Sequence, residues 1–79
     1  MNNNLEKLLS FLNRLNDVHI SFSLRQIRNE TVMVLIRVPG EHWEVEFFGD
    51  GSIEIEIYKS DGKIYDGKKL DELFDKFSD

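Results

Sequence analysis

The sequence contains no cysteine, a single proline and no long apolar run. Without cysteine, neither a disulfide framework nor a thiolate zinc site can brace the fold. Without roughly 20 consecutive apolar residues, no membrane-spanning helix is expected. The opening MNNNLEKLLSFLNRL lacks a basic segment leading into a continuous apolar stretch, so it is not expected to act as a signal peptide, and the expected location is cytoplasmic.

Positive charge is scarce and unevenly placed. Residues 1–40 hold five Lys or Arg against three acids, whereas residues 41–79 hold five Lys against twelve acids. A surface with that acidic half repels phosphate backbones and attracts basic partners. Aromatic and basic residues are not interleaved, so direct nucleic-acid binding is not expected. At 79 residues the chain is one domain, 1–79, which buries only about 60% of its extended-chain surface and so needs an efficient core.

What the sequence has in quantity is alternation. In WEVEFFGDGSIEIEIY, Trp43, Val45, Phe47, Ile53, Ile55 and Ile57 share one parity, while Glu44, Glu46, Glu54 and Glu56 take the other. That is the period of two strands with one dry and one wet face. Opposed residues must share a face, so loop length has a required parity. A two-residue turn would set Phe47 against Glu54. A three-residue loop, Gly49 to Gly51, sets Phe47 against Ile53 and Val45 against Ile55, with a glycine free to take the left-handed conformation. The same register puts Glu46 opposite Glu54 and Glu44 opposite Glu56, each pair opposing association by roughly 0.2–1 kcal/mol.

Upstream, Leu5, Leu8, Leu9, Leu12 and Leu15 recur at helical spacing with Phe11 flanking them, predicting a helix over 4–16 capped by Asn3 or Asn4. VHISFSLRQ alternates as a half-buried strand, and TVMVLIRV is apolar enough for a central one. Pairing Leu24 with Val32 and Phe22 with Val34 aligns their inner faces. Pro39-Gly40 carries the signature of a tight turn and pairs Ile36 with Trp43. After Tyr58, two Asp-Gly turns flank a short extension at Lys63-Ile64-Tyr65 returning along the sheet edge. Asp66 caps a last helix with a Leu70, Leu73, Phe74, Phe77 stripe. The expected architecture is an α+β two-layer sandwich: a four-stranded antiparallel meander with N- and C-terminal helices on one face (α-β-β-β-β-α).

The uncovered face is then laid out in rows. His19, Arg37, His42 and Tyr58 form the first, Ser21, Leu35, Glu44 and Glu56 the second, and Ser23, Met33, Glu46 and Glu54 the third. Arg25, Thr31 and Phe48 lie near the far end. The plain reading is a solvated face. The sharper reading is a docking surface for a basic protein, with Glu44, Glu46, Glu54 and Glu56 supplying charge and Met33, Leu35, Phe48 and Tyr58 supplying contact area. A homodimer on the same face requires Arg25 and Arg37 to cross over to the acids. His19 and His42 flanking Arg37 suggest a general-base pair, but a flat sheet offers no water-excluding pocket, so no catalytic residue is assigned. The histidines with Glu44 match no tight metal site, and Gly49-Asp50-Gly51 and Ser60-Asp61-Gly62 lack the spacing of phosphate or calcium loops. No metal or cofactor is expected.

The block PGEHWEVEFFGDGSIEIEIYKSDGKIYDGKKLDELFDKF resembles small acidic bacterial proteins with a Gly-Glu-x-Trp-Glu-x-Glu-Phe strand, an Asp-Gly hairpin, a Ser-Asp-Gly turn and a Leu-x-x-Leu-Phe helix. Proteins of this size, acidity and layout are similar to immunity proteins of interbacterial toxin systems. The resemblance covers residues 39–78. It implies a non-enzymatic inhibitor of a basic toxin domain, and no catalytic residue. The alternative is a self-associating or adaptor domain using Met33, Leu35 and Phe48.

Overall fold

The computed structural model describes residues 4–58, 64–65 and 69–77. Helix α1 (Asn4–Asp17) is followed by strands β1 (Phe22–Arg25), β2 (Thr31–Val38), β3 (Glu41–Phe48), β4 (Ile53–Tyr58) and β5 (Ile64–Tyr65), then helix α2 (Lys69–Phe77). The strands form one antiparallel sheet in sequence order, and the expected α+β meander is present. The extension after Tyr58 returns as β5, pairing Ile55 with Tyr65 and Glu56 with Ile64. Asn3 and Asp66, the expected caps, lie outside the described residues.

Two of the turns obey the parity argument. Ile36 pairs with Trp43 across Pro39-Gly40, where Gly40 has φ 78°, the conformation that the third position of a type II turn demands. Phe47 pairs with Ile53 across Gly49 to Gly51. There Phe48 N–H donates to the Ser52 carbonyl at 2.9 Å and Gly51 takes φ 95°. Asp50 Oδ1 accepts from the Ser52 hydroxyl at 2.6 Å and the Ser52 amide at 2.8 Å, and these bonds hold the Asp50 carboxyl below its ordinary pKa.

The first strand departs from expectation. Phe22 pairs with Ile36 and Leu24 with Val34, one rung beyond the expected Val34 and Val32 partners, and the strand begins four residues late. The reason lies in the end of α1. Ile20 N–H donates to the Leu15 carbonyl at 2.9 Å and His19 N–H to the Asn16 carbonyl at 3.1 Å, with His19 in the left-handed region at φ 60°. These are the two bonds of a Schellman motif, here with histidine in the position glycine usually fills. Its customary apolar contact is met by Leu15 and Ile20, both buried in the core. Residues 18–20 therefore close the helix rather than open the strand.

One sheet face carries the core. Val34, Ile36, Trp43, Val45, Phe47, Ile55 and Ile57 are buried there with Phe11 and Leu15 from α1 and Leu73 and Phe74 from α2. Side chains of this size contribute roughly 1.5–3 kcal/mol each when fully buried. Phe11, expected beside the stripe of α1, is at its centre: its ring lies 5.4 Å from that of Phe47 and 5.8 Å, edge-on, from that of Phe74. Residues 8, 11, 12 and 15 make the i, i+3, i+4, i+7 set that packs, which leaves Leu5 69% and Leu9 48% exposed. Leu24, expected in the core, is 51% exposed near the open end of β1.

The helices are held in place by polar ties. Lys7 Nζ donates to the Gly51 carbonyl at 3.1 Å, and Asn4 Nδ2 donates to the Gly49 carbonyl, so α1 starts on the hairpin tip. The Arg14 guanidinium sits 3.9 Å from the Phe74 ring and links the helices. Glu41 accepts from Lys76 Nζ and from Trp43 Nε1–H, each at 2.7 Å, which seats α2 against the start of β3. The side chain of Phe77 lies outside the described residues.

Candidate functional site

With both helices on the core face, the opposite face of the sheet is left open. Glu44 stands directly across from Glu56 and Glu46 from Glu54, as the parity argument requires. Met33 pairs with Glu46 and Leu35 with Glu44, which puts two half-buried apolar side chains beside the acids. Arg28, Met33, Glu44, Glu46, Glu54 and Glu56 line one depression. Six of the eight expected contact residues (Met33, Leu35, Glu44, Glu46, Glu54 and Glu56) thus fall on two adjacent rungs. Phe48 lies beyond one end, opposite Thr31, and Tyr58 lies at the other, opposite His42.

The four carboxylates are not equivalent. Glu46 is only 5% exposed, its Oε2 accepting from the Thr31 hydroxyl at 2.7 Å and lying 3.3 Å from Arg28 Nε. Thr31, expected near the rim of the face, is itself buried. Arg28 comes from the loop between β1 and β2 and also lies 5.5 Å from the Phe48 ring, so one guanidinium joins an acid and an aromatic edge. The Glu46–Glu54 pair, read from the sequence as unrelieved, is relieved by this residue. Glu44 contacts His42 Nε2 at 3.3 Å through Oε2 and the Tyr58 hydroxyl at 3.3 Å through Oε1. Glu54 is exposed and Glu56 half-buried.

Tyr58 reports on the local field. Its hydroxyl pKa is pushed up to about 12, first by the hydrogen bond to Glu56, then by desolvation, then by the charges of Glu44 and Glu56 and the bond to Glu44. A phenol surrounded by carboxylates resists becoming an anion. Tyr58 is 48% exposed, and its ring lies 5.8 Å from that of His42.

The basic side chains Arg25 and Arg37 stand on the β1–β2 side of the same face, Arg25 on the rung of Glu46 and Glu54 and Arg37 on the rung of His42 and Tyr58. Register places Arg25 across from Met33 and Arg37 across from His42, and Arg37 N–H donates to the Ser21 carbonyl at 3.4 Å. A notch lined by Ser21, Ser23, Leu35, Arg37 and His42 opens there. The rungs now read Ser21, Arg37, His42, Tyr58; Ser23, Leu35, Glu44, Glu56; and Arg25, Met33, Glu46, Glu54. His19 has left the face for the helix terminus, so the His19–Arg37–His42 constellation is not formed. His42 buries its Nδ1 without a hydrogen-bond partner among the described residues.

Arg28 is the member of this site that sequence reading missed. It lies in the loop between β1 and β2, and the signal available was that a basic residue three positions before β2 sits close to four acids in need of a counter-charge. Among the described residues no group of three or more His, Asp or Glu could hold a metal ion, and no helix is long and apolar enough to cross a membrane. Compared with known proteins, the chain matches no family model, no curated protein and no solved structure.

Proposed function

We propose that the chain is a non-enzymatic binding module whose open sheet face receives a basic protein. The observation that carries this reading is the division of labour among the acids: Glu46 is spent on Thr31 and Arg28, while Glu54 and Glu56 have no ion-pair partner among the described residues and border a floor containing Met33. A partial apolar floor with charge at its margin is the layout of a protein-binding patch, and the charge would steer a cationic partner toward it. The resemblance of residues 39–78 to immunity proteins supports a toxin domain as that partner. The test is capture of a basic protein by the wild-type chain and by Glu54→Gln/Glu56→Gln. Capture lost in the variant supports the reading. Equal capture by both removes this face from the mechanism.

One observation favours a homodimer as the second reading. The face is polarised, with Arg25 and Arg37 toward β1 and Glu54 and Glu56 on β4. A two-fold axis parallel to the strands would lay Arg25 of one copy over Glu54 of the other, so the face is self-complementary. Sedimentation of the wild-type chain at high concentration decides: a monomer ends this reading, and a dimer lost in Arg25→Glu supports it.

A further inference from the structure

We propose a second binding surface on this chain: the open edge of β1 accepts an extended segment of alternating apolar and acidic residues as an additional strand. This surface is separate from the acidic depression on β3 and β4.

The backbone supplies the first argument. Arg37 N–H bonds to the Ser21 carbonyl. In an antiparallel ladder the residues whose backbone faces the partner strand alternate. Ser21, Ser23 and Arg25 therefore face β2, and Phe22 and Leu24 turn their N–H and C=O groups outward. Among the described residues β1 is the terminal strand on that side. The edge carries no proline, lysine or bulge, the devices that commonly block strand addition. An extended polypeptide is the ligand whose own backbone matches such a row of donors and acceptors.

The side chains choose the sequence of that polypeptide. On the core side of the edge Leu24 is 51% exposed, and a cleft beside the start of α1 is lined by Leu5, Leu8, Val32 and Phe47 together with the polar Gln26 and Glu30. Leu9 follows one turn after Leu5 on α1 and is also exposed. A strand added to β1 would direct every second side chain onto this apolar shelf. The alternate side chains would point to the other face, where Arg25 stands at the edge and the small Ser21 and Ser23 leave the notch beside Arg37 accessible. The open-face positions Ser21, Ser23 and Arg25 contain no Asp or Glu, whereas Glu30 lines the cleft on the core side. Charge complementarity therefore selects acids for the open-face positions and apolar residues for the core-side ones.

The experiment uses the whole isotope-labelled chain with a short peptide alternating Val and Glu, and its Val–Lys counterpart as control. The Val–Glu peptide should slow hydrogen exchange at the Phe22 and Leu24 amides, and the Val–Lys peptide should bind at least about tenfold more weakly. Leu24→Pro removes an outward N–H without removing a bond to β2, which an edge strand tolerates, and should abolish binding. Arg25→Glu/Arg37→Glu should reverse the peptide preference, which keeps the test decisive if the proline variant folds poorly. Glu54→Gln/Glu56→Gln should leave peptide binding unchanged, which separates this surface from the acidic face. Equal binding of both peptides overturns the proposal, as does an absence of protection at Phe22 and Leu24. Protection that appears without peptide and grows with a dimer mass also overturns it, because the occupant is then a second copy.

Discussion

Glu46 and Glu54 stand directly opposite each other on neighbouring strands, yet one is buried and the other exposed. The difference comes from the loop before β2. Arg28 lies 3.3 Å from the Glu46 carboxylate and Thr31 donates from the start of β2, so Glu46 is hydrogen-bonded and charge-paired, whereas Glu54 has neither kind of partner among the described residues.

The Thr31 hydroxyl should therefore be worth more than its exposed counterparts. Thr31→Val keeps the shape and removes a donor to a buried carboxylate, and should cost roughly 1.5–3 kcal/mol. Urea unfolding monitored by Trp43 fluorescence measures it. A loss indistinguishable from zero would mean that Arg28 alone satisfies Glu46.

Across the strand, Glu54→Lys should stabilise the fold at neutral pH, but by less than the roughly 0.2–1 kcal/mol of an unrelieved like-charge pair, because Arg28 already offsets the charge of Glu46. The gain should shrink as salt is added, because Glu54 is exposed. Thermal melts at two ionic strengths check both statements, and clear destabilisation would contradict the Glu46–Glu54 register.

Tyr58 gives a pH-dependent signature. Its pKa is raised from 10.0 to about 12, chiefly by the bond to Glu56. A group whose folded pKa is raised holds its proton more tightly in the native state. Its contribution to stability is therefore complete below pH 10.0 and is lost as pH rises through about 12. Phenolate absorbance in a Tyr65→Phe background should show this late ionisation, and Glu56→Gln should bring it back toward 10.0. An unchanged titration in the variant would remove Glu56 as the first cause.

Gly40 and Gly51 both have positive φ, and their alanine variants should differ. A Cβ at Gly40 meets nothing within 4 Å, whereas one at Gly51 would lie 3.0 Å from Asn4 Oδ1. Gly40→Ala should cost about 1 kcal/mol from backbone strain alone. Gly51→Ala should cost more, since it also disturbs the start of α1. Equal losses in chemical denaturation would show that the Asn4 contact contributes nothing.

The parts of this fold legible from sequence are those governed by parity and by period. The alternation in residues 43–58 determined which side chains share a face, and the glycines around Asp50 determined the loop length, so the positions of Glu44, Glu46, Glu54 and Glu56 followed. Where a single residue's conformation decided the outcome, the pattern was silent. His19 in the left-handed region ends α1 late and shortens β1, and alternation continues through residues 18–25 as though the strand were longer. Phe11 looked peripheral because five leucines suggested a wider stripe, whereas the ring contacts to Phe47 and Phe74 centre the helix on it. Arg28 was hidden for a different reason: the reach of a long side chain from a loop leaves no period to read.

The tie between α1 and the tip of the β3–β4 hairpin joins residues about 45 positions apart, Asn4 to Gly49. During synthesis the helix emerges first, with its oily side toward water, and waits for a landing place that exists only once the second half of the sheet has been made. The strands assemble through near neighbours, so they should form early and the helix should dock late. The interval between those events is when this small chain is most open to a chaperone or to a wrong neighbour.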